Sequence, residues 1–208
     1  MRVAVQSRGR LLVSHHLRHV VDRHAVGDEP RRVRPALRPG SGIVCVVNEL
    51  VERVDDQDRV LGVVDRGEAV RRGWLHRIAT TICRDQQGRV LVYRRAEDLS
   101  RFPGYYEVSF GGAVDVGESY QAAAARELAE ELGVHVAVRF MFKFLCQGEA
   151  GPYWLGVHEA VITGEVDPDP QEVAWLGWMT KGELRQAVQH RRFIPDGQEA
   201  FGRYLASQ

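Results

Sequence analysis

Residues Gly112–Val134, GAVDVGESYQAAAARELAEELGV, hold a glycine-rich turn, an alanine-rich segment and a cluster of glutamates. From Glu118 to Leu132 there is no Pro or Gly and Ala fills the middle, which is strong helix composition. Ser119 stands where an N-cap belongs, and Gly133 where a left-handed residue closes a helix. On such a helix Glu127, Glu130 and Glu131 fall at i, i+3 and i+4, so their carboxylates share one face. Arg126, four residues before Glu130, can pair with it. Three like charges on one patch destabilise a bare helix, so the cluster makes sense if a cation sits there. Hard cations such as Mg2+ and Mn2+ take carboxylate oxygens, and Mg2+ is commonly shared with substrate phosphates.

The spacing is more specific than an ordinary acidic helix face. It fits G-x5-E-x7-R-E-U-x-E-E-x-G-U, with U a bulky aliphatic residue, at Gly112, Glu118, Arg126, Glu127, Leu128, Glu130, Glu131, Gly133 and Val134. This resembles the Nudix box of the Nudix hydrolase superfamily. The resemblance implies that Glu127, Glu130 and Glu131 ligate metal, with the carbonyl of Gly111 as a further ligand. It implies that one of the last two glutamates handles the attacking water. Arg126 would hold the glutamates in place, and Glu118 would orient Arg126. The implied reaction is hydrolysis of a phosphoanhydride in a nucleoside diphosphate linked to X, or a related organic diphosphate, with Mg2+ or Mn2+ as cofactor.

Composition sets the frame. The chain has 208 residues, of which 44% are hydrophobic and 27% charged, as in an ordinary globular protein. No apolar run approaches the ~18 residues of a membrane span. Three widely spaced cysteines, Cys45, Cys83 and Cys146, argue against a disulfide framework or a zinc knuckle. They suit a cytoplasmic location. The formal charge is zero, but residues 1–40 carry nine Arg against three acidic residues, which leaves the remainder acidic. That remainder gives no support for nucleic acid or membrane as a partner, and a small-molecule diphosphate is the expected one. A homodimer is compatible with the sequence but not written in it.

Residues 1–40 also hold four of the eight His, with Arg and Pro clustered from Arg31 to Pro39. Such a segment has little apolar surface to offset its ordering entropy. Residues 1–46 are therefore expected to be a disordered or non-native extension, and 47–208 to be the Nudix hydrolase domain. In a GC-rich genome, which the 26 Arg against two Lys suggest, a start placed too far upstream yields sequence of this kind. The native start is then expected near Val46 or Val47.

From Glu49 the pattern is regular. Leu50–Val54 and Val60–Val64 flank a polar Asp-rich turn and predict a hairpin. Asp65 and Glu68 have capping-box spacing for a short helix to Arg72. Ile78–Cys83 and Val90–Arg94 predict a hairpin at the heart of a sheet, and residues 95–109 a loop. After the box helix come strands expected over Val134–Cys146, Tyr153–Ile162 and Glu172–Met179. Thr180 with Glu183 opens one helix, and Pro195-Asp196 opens the last. Locally pairing strands with helices on both faces predict an α/β fold, a Nudix-type α/β/α sandwich with a mixed sheet.

The resemblance reaches beyond the box. The early hairpin and helix, Leu75-His76-Arg77, Arg94-Arg95, Phe102-Pro103-Gly104 and Phe193-Ile194-Pro195-Asp196-Gly197 are similar to the isopentenyl-diphosphate-isomerase-like branch of Nudix proteins, over roughly residues 49–206. True isomerases carry a catalytic cysteine in S-x-C-G-H. Here that run is Ser109-Phe110-Gly111-Gly112-Ala113, with glycine in the cysteine's place. Glycine can neither give nor take a proton, so hydrolysis is favoured over isomerisation. The other alternative is a non-catalytic nucleotide-binding module. Outside the box, Arg94, Arg95, Tyr105 and Glu172 are candidate substrate-binding residues, the last as an extra carboxylate. His76 and Arg77, and the aromatic rings of Phe102 and Tyr106, are further candidates, while Trp154, Trp175 and Trp178 are expected in the core.

Overall fold

A computed structural model describes residues 49–148 and 151–208. The readings made for residues 1–46, Cys45 among them, lie outside these. The described chain opens with an antiparallel hairpin, β1 (Leu50–Val54) and β2 (Val60–Asp65), which forms a two-stranded sheet of its own. Its turn is shaped by Asp55, whose Oδ1 accepts from the amides of Gln57 and Arg59, both at 2.9 Å. This is the local bonding that makes Asp a turn residue. Helix α1 (Arg66–Arg72) follows at once, capped by the Asp65 side chain on the Glu68 amide and closed by left-handed Gly73. Only half of the expected capping box forms, because Glu68 turns to Arg72 instead, at 2.9 Å.

The main sheet has seven strands: β3 (Arg77–Arg84), β4 (Val90–Arg95), β5 (Tyr106–Glu107), β6 (Phe110–Ala113), β7 (Val138–Cys146), β8 (Tyr153–Val161) and β9 (Val173–Met179). Strands β3 and β8 run parallel; the other pairings are antiparallel. The mixed sheet is as expected, but β3 and β4 are not the continuous hairpin that their sequences suggest. They pair only at Arg84–Val90 and then diverge. The gap is filled by two short strands, β6 against β3 and β5 against β4, in a stretch whose glycines and aromatics read as loop and turn. Strand β7 starts at Val138 rather than Val134, since Gly133 and Val134 close the box helix, with their amides bonding Ala129 and Leu128 carbonyls.

Helix α2 (Tyr120–Leu132) covers one face. Ala123, Ala124, Leu128 and Leu132 are fully buried there against Ala79, Cys83, Leu91 and Phe110. The other face is covered by α3 (Lys181–His190), which has the complete Thr180–Glu183 capping box, and α4 (Pro195–Ala206). Leu184, Ala200, Phe201 and Tyr204 pack on Ile82, Val92 and Val157. Strand alternation explains the division: Ala79 and Cys83 face α2, whereas Ile82 faces the other way. Truncating a buried leucine such as Leu128 costs on the order of 2–5 kcal/mol. Of the tryptophans read as core, Trp175 is 40% exposed.

Two buried carboxylates tie elements together. Asp58, in the β1–β2 turn with φ 62°, accepts from Arg77 Nε at 2.6 Å, Tyr120 Oη at 3.2 Å and Lys143. Arg77 also reaches Glu52 at 2.7 Å. The candidate Arg77 is thereby committed to fixing the hairpin on the sheet. Glu159 on β8 accepts from Tyr204 Oη at 2.5 Å and pairs with Arg84 and Arg139. Burial opposes its charge, but Tyr204, Arg84 and Arg139 outweigh that and hold the carboxylate down at about 2. A carboxylate held low in the folded state stabilises above its unfolded pKa, and that stability is lost as pH falls through the folded one. We expect Glu159→Gln to lower stability at pH 7 by about 2 kcal/mol, as for loss of charged hydrogen bonds. In urea melts the difference from wild type should shrink as pH is lowered from about 4.5 toward about 2.

Candidate active site

Helix α2 begins as its sequence dictates. Ser119 accepts from the Ala122 amide at 3.1 Å, and Gly133 ends the helix with φ 65°. Arg126, on its inner flank, is the hub. Nη1 donates to Glu127 at 2.6 Å and Glu130 at 3.2 Å; Nη2 donates to Glu118 at 3.0 Å and to the Ala113 carbonyl at 2.9 Å; Nε donates to Glu118 at 3.2 Å. Glu118 in turn accepts from the Asp115 amide at 3.1 Å. One guanidinium thus joins the helix, the turn before it and strand β6, using the fixed fork that lysine lacks. Burial works against the charge on Glu118, but Arg126 outweighs it and holds the carboxyl below its usual range.

Glu127 and Glu131 behave differently. Burial raises both, against Arg126 in the case of Glu127. For Glu131, burial and then the neighbouring charges of Glu127, Glu172 and Glu107 push the carboxyl up to about 8. Its Oε2 is buried without a hydrogen-bond partner among the described residues. An orphaned buried carboxylate oxygen is costly, and a bound cation would remove that cost. The glycines before α2 have a spatial reason. A Cβ on Gly112 would lie 2.6 Å from Glu127 Oε1, and one on Gly111 would lie 2.0 Å from the Ala79 carbonyl oxygen. No three His, Cys, Asp or Glu side chains among the described residues are already gathered to hold a metal ion. Arg126 occupies Glu127 and Glu130, so two of the three candidates are held as ion pairs. The donor set nonetheless fits a hard divalent cation: carboxylates only, one with a vacant buried oxygen.

A cavity of about 200 Å³ lies in the gap between β3 and β4. Of the box candidates only Gly111 lines it, and Glu131 is linked to it through the charges of Arg95 and Glu107. The cavity walls include Gly111, Thr80, Tyr93, Ile78 and Leu155, with Arg66, Arg95 and Arg101 supplying positive charge. Arg95 therefore lines it, as expected of a phosphate-binding candidate. Arg94 does not, and it pairs with Glu97 at 2.8 Å. Tyr105 also lies elsewhere, with its ring 5.4 Å from that of Phe102, beside a separate hollow with Arg101 and Pro103. Phe102 is the aromatic candidate that reaches the main cavity. Tyr106 packs between Trp175 and Phe193. Glu172 is half-buried and close enough for its charge to raise Glu131, but it does not line the cavity. His76 is buried against Tyr153. Glu107, Ser109 and Asp196 line the cavity and were not singled out by the sequence. The one signal for Glu107 was a lone carboxylate between Tyr106 and Val108, in a stretch that the sequence reads as loop.

The NUDIX domain profile matches residues 74–197, more than half of the chain. The chain belongs to the Nudix family. It is 41% identical over 168 residues to an uncharacterized Nudix hydrolase of Streptomyces coelicolor, covering 79% of this chain and 93% of that one. It is 37% identical over 146 residues to an isopentenyl-diphosphate Delta-isomerase of Nocardia farcinica, covering 65% and 81%. To a prenyl-diphosphate phosphatase of Methanosarcina mazei it is 31% identical over 147 residues, covering 67% and 84%. Among solved structures, a Deinococcus radiodurans protein matches with TM-score 0.64 and 26% identity, covering 73% of this chain and 97% of that one. The chain is thus an enzyme of the Nudix hydrolase family with relatives in the isomerase-like branch, a family that generally uses divalent cations.

In this chain the backbone leaves no room for a cysteine at position 111. The Cβ position of Gly111 falls on the backbone of β3, which cannot swing aside as a side chain can. We expect Gly111→Cys to destabilise the protein by about 2 kcal/mol or more, the range for overpacking, and to create no isomerase activity. Thermal melts and a proton-exchange assay on isopentenyl diphosphate check both. A stable variant would show that β3 and β6 can separate.

Proposed function

We propose that this Nudix enzyme hydrolyses the phosphoanhydride of a small organic diphosphate, a nucleoside diphosphate linked to X or a related compound, with Mg2+ or Mn2+. The observation that carries the reading is the buried oxygen of Glu131 that has no partner among the described residues, set on the same helix face as Glu127 and Glu130 and close enough to feel the charge of Arg95 in the arginine-lined cavity. Glu127, Glu130, Glu131 and the Gly111 carbonyl would hold the cation. Bound there, it would neutralise the diphosphate and acidify a coordinated water.

The chain's own residues do the rest. Arg126 and Glu118 keep the carboxylates aimed at one region, through bonds that also fix β6. Arg95 grips phosphate at the cavity, with Arg66 and Arg101 beside it, since guanidinium matches phosphate geometry. A box carboxylate takes the proton of the attacking water. The isomerase alternative is disfavoured by Gly111, which has neither an acid nor space for one. A purely binding module has no use for a buried carboxylate without a partner. The similarity to a prenyl-diphosphate phosphatase supports diphosphate hydrolysis as the reaction class. The buried free thiols of Cys83 and Cys146 support a reducing, cytoplasmic location.

The test is monophosphate or phosphate release from a panel of nucleotides, sugar nucleotides, dinucleotide cofactors and prenyl diphosphates, in Mg2+ and in Mn2+. We expect chelation to abolish turnover and either metal to restore it. Glu131→Gln should lower kcat by about 100-fold or more, the scale of a lost proton-transfer group. A variant as active as wild type, or a wild type inert on the whole panel in both metals, would falsify the hydrolase reading.

A further inference from the structure

Glu107 is a buried carboxyl that the box chemistry does not use. It sits on β5 at 8% exposure. Its Oε1 accepts from the Val108 amide at 2.8 Å and from Ser109 Oγ at 3.2 Å. Its Oε2 makes no hydrogen bond among the described residues, yet it is not sealed in like Glu131 Oε2. Glu107 is one of the residues that line the cavity.

The closing motif Phe193–Gly197, whose purpose the sequence leaves open, builds this arrangement. The Tyr106 amide donates to the Arg192 carbonyl at 2.7 Å, and the Ile194 amide to the Tyr106 carbonyl at 3.0 Å, which straps the chain before α4 along β5. A Cβ on Gly197 would lie 2.0 Å from Glu107 Oε1, so the first turn of α4 packs directly on the carboxyl. Asp196 of the same turn accepts from Tyr153. Burial pushes Glu107 up to about 7, against the hydrogen bonds from Val108 and Ser109 and the charge of Arg95.

The cavity lining thus carries both signs of charge. Arg66, Arg95 and Arg101 supply cationic groups that suit phosphate, and Glu107 and Asp196 supply carboxyls. The cavity also has apolar walls, Ile78 and Leu155. At about 200 Å³ it is below the ~300 Å³ at which pockets for drug-sized ligands begin. Protonated or ionised, a buried carboxyl covered by hydrocarbon loses its water without gaining a partner. A hydroxyl or amine placed there satisfies it in either form, because the acid can donate and the carboxylate can accept.

We propose that Glu107 is a specificity-determining residue, selecting diphosphates whose organic group is small and bears hydroxyls, such as a sugar, over hydrocarbon groups of the prenyl type. This rests on the hydrolase reading above. Sites built to bond a substrate hydroxyl reject analogues lacking it strongly, because the protein's polar group is left unpaired.

The experiment compares kcat/KM in Mg2+ for ADP-ribose and UDP-glucose with that for isopentenyl and geranyl diphosphates, in wild type, Glu107→Gln and Glu107→Leu. Wild type should favour the better hydroxylated substrate by about 100-fold or more, within the discrimination expected of such a site. Glu107→Leu should bring the ratio to about 10-fold or less, by losing the hydroxylated substrate and gaining the prenyl one, as its lining no longer penalises hydrocarbon. Glu107→Gln keeps an acceptor for Val108 and Ser109 and preserves the fold, so it should retain most of the preference. Preference of wild type for the prenyl substrates overturns the assignment and leaves the hydrolase reading standing, and needs no variant to show it. An unchanged ratio in a folded Glu107→Leu also overturns it. Cleavage of neither class by a protein that hydrolyses other members of the panel overturns the assignment alone, and inertness on the whole panel in both metals overturns it together with the reading on which it rests.

Discussion

The contacts of Arg126 are what the rest of the site depends on. A single guanidinium bonds Glu118, Glu127, Glu130 and the Ala113 carbonyl. These partners come from the turn, two positions on the helix, and the end of a strand. Carboxylates crowded on one helix face repel one another, and the fork of Arg126 offsets that repulsion while fixing the helix to β6. The glycines at 111 and 112 follow from the same constraint. They let β6 lie against β3 and let Glu127 lie against β6 with no Cβ between. The local order Gly-Gly, Glu, Arg-Glu, Glu-Glu is the chemical form of a close approach between a helix and a strand.

A second constraint acts on the sheet. Strands β3 and β4 separate after one pair, and what enters the gap decides the chemistry available there. Two very short strands supply backbone partners to both sides, so the gap carries little unsatisfied main chain. It also admits Glu107 and Ser109 to a cavity with Arg95 and Gly111. The β1–β2 hairpin is fixed nearby by Asp58, Arg77, Lys143 and Tyr120, and α1 after it brings Arg66 to the cavity. Distant segments are therefore joined at one site by ion pairs and close packing rather than by sequence proximity.

The two groups of carboxyls are governed by different surroundings. Arg126 holds Glu118 below its usual range, whereas at Glu127 burial outweighs the same arginine. Glu131 and Glu107 are raised by burial, and each lacks a bond on one oxygen among the described residues. Glu159, buried like Glu107, is held low and satisfied because two arginines and a tyrosine surround it. Burial alone does not tell a structural carboxylate from one available for chemistry. Completion of its hydrogen bonds does.

The amino-acid sequence determined the elements with strong local signals: the caps at Asp65, Ser119 and Thr180, the terminating glycines, and the helix that places Glu127, Glu130 and Glu131 together. These follow from backbone geometry within a few residues, while the family shows in the resemblance of the box residues to the Nudix signature. Only the tertiary structure decided that Arg95 and not Arg94 meets the cavity, and that Tyr105 does not. It also decided that β5 and β6 exist, because strands of two and four residues gain their stability from partners far away in the chain. It showed that Gly111 is required by the β3 backbone and not merely permitted there. Glu107 was out of reach for the same reason. Its character comes from burial under α4 and from an unbonded oxygen, and no neighbour in sequence records either.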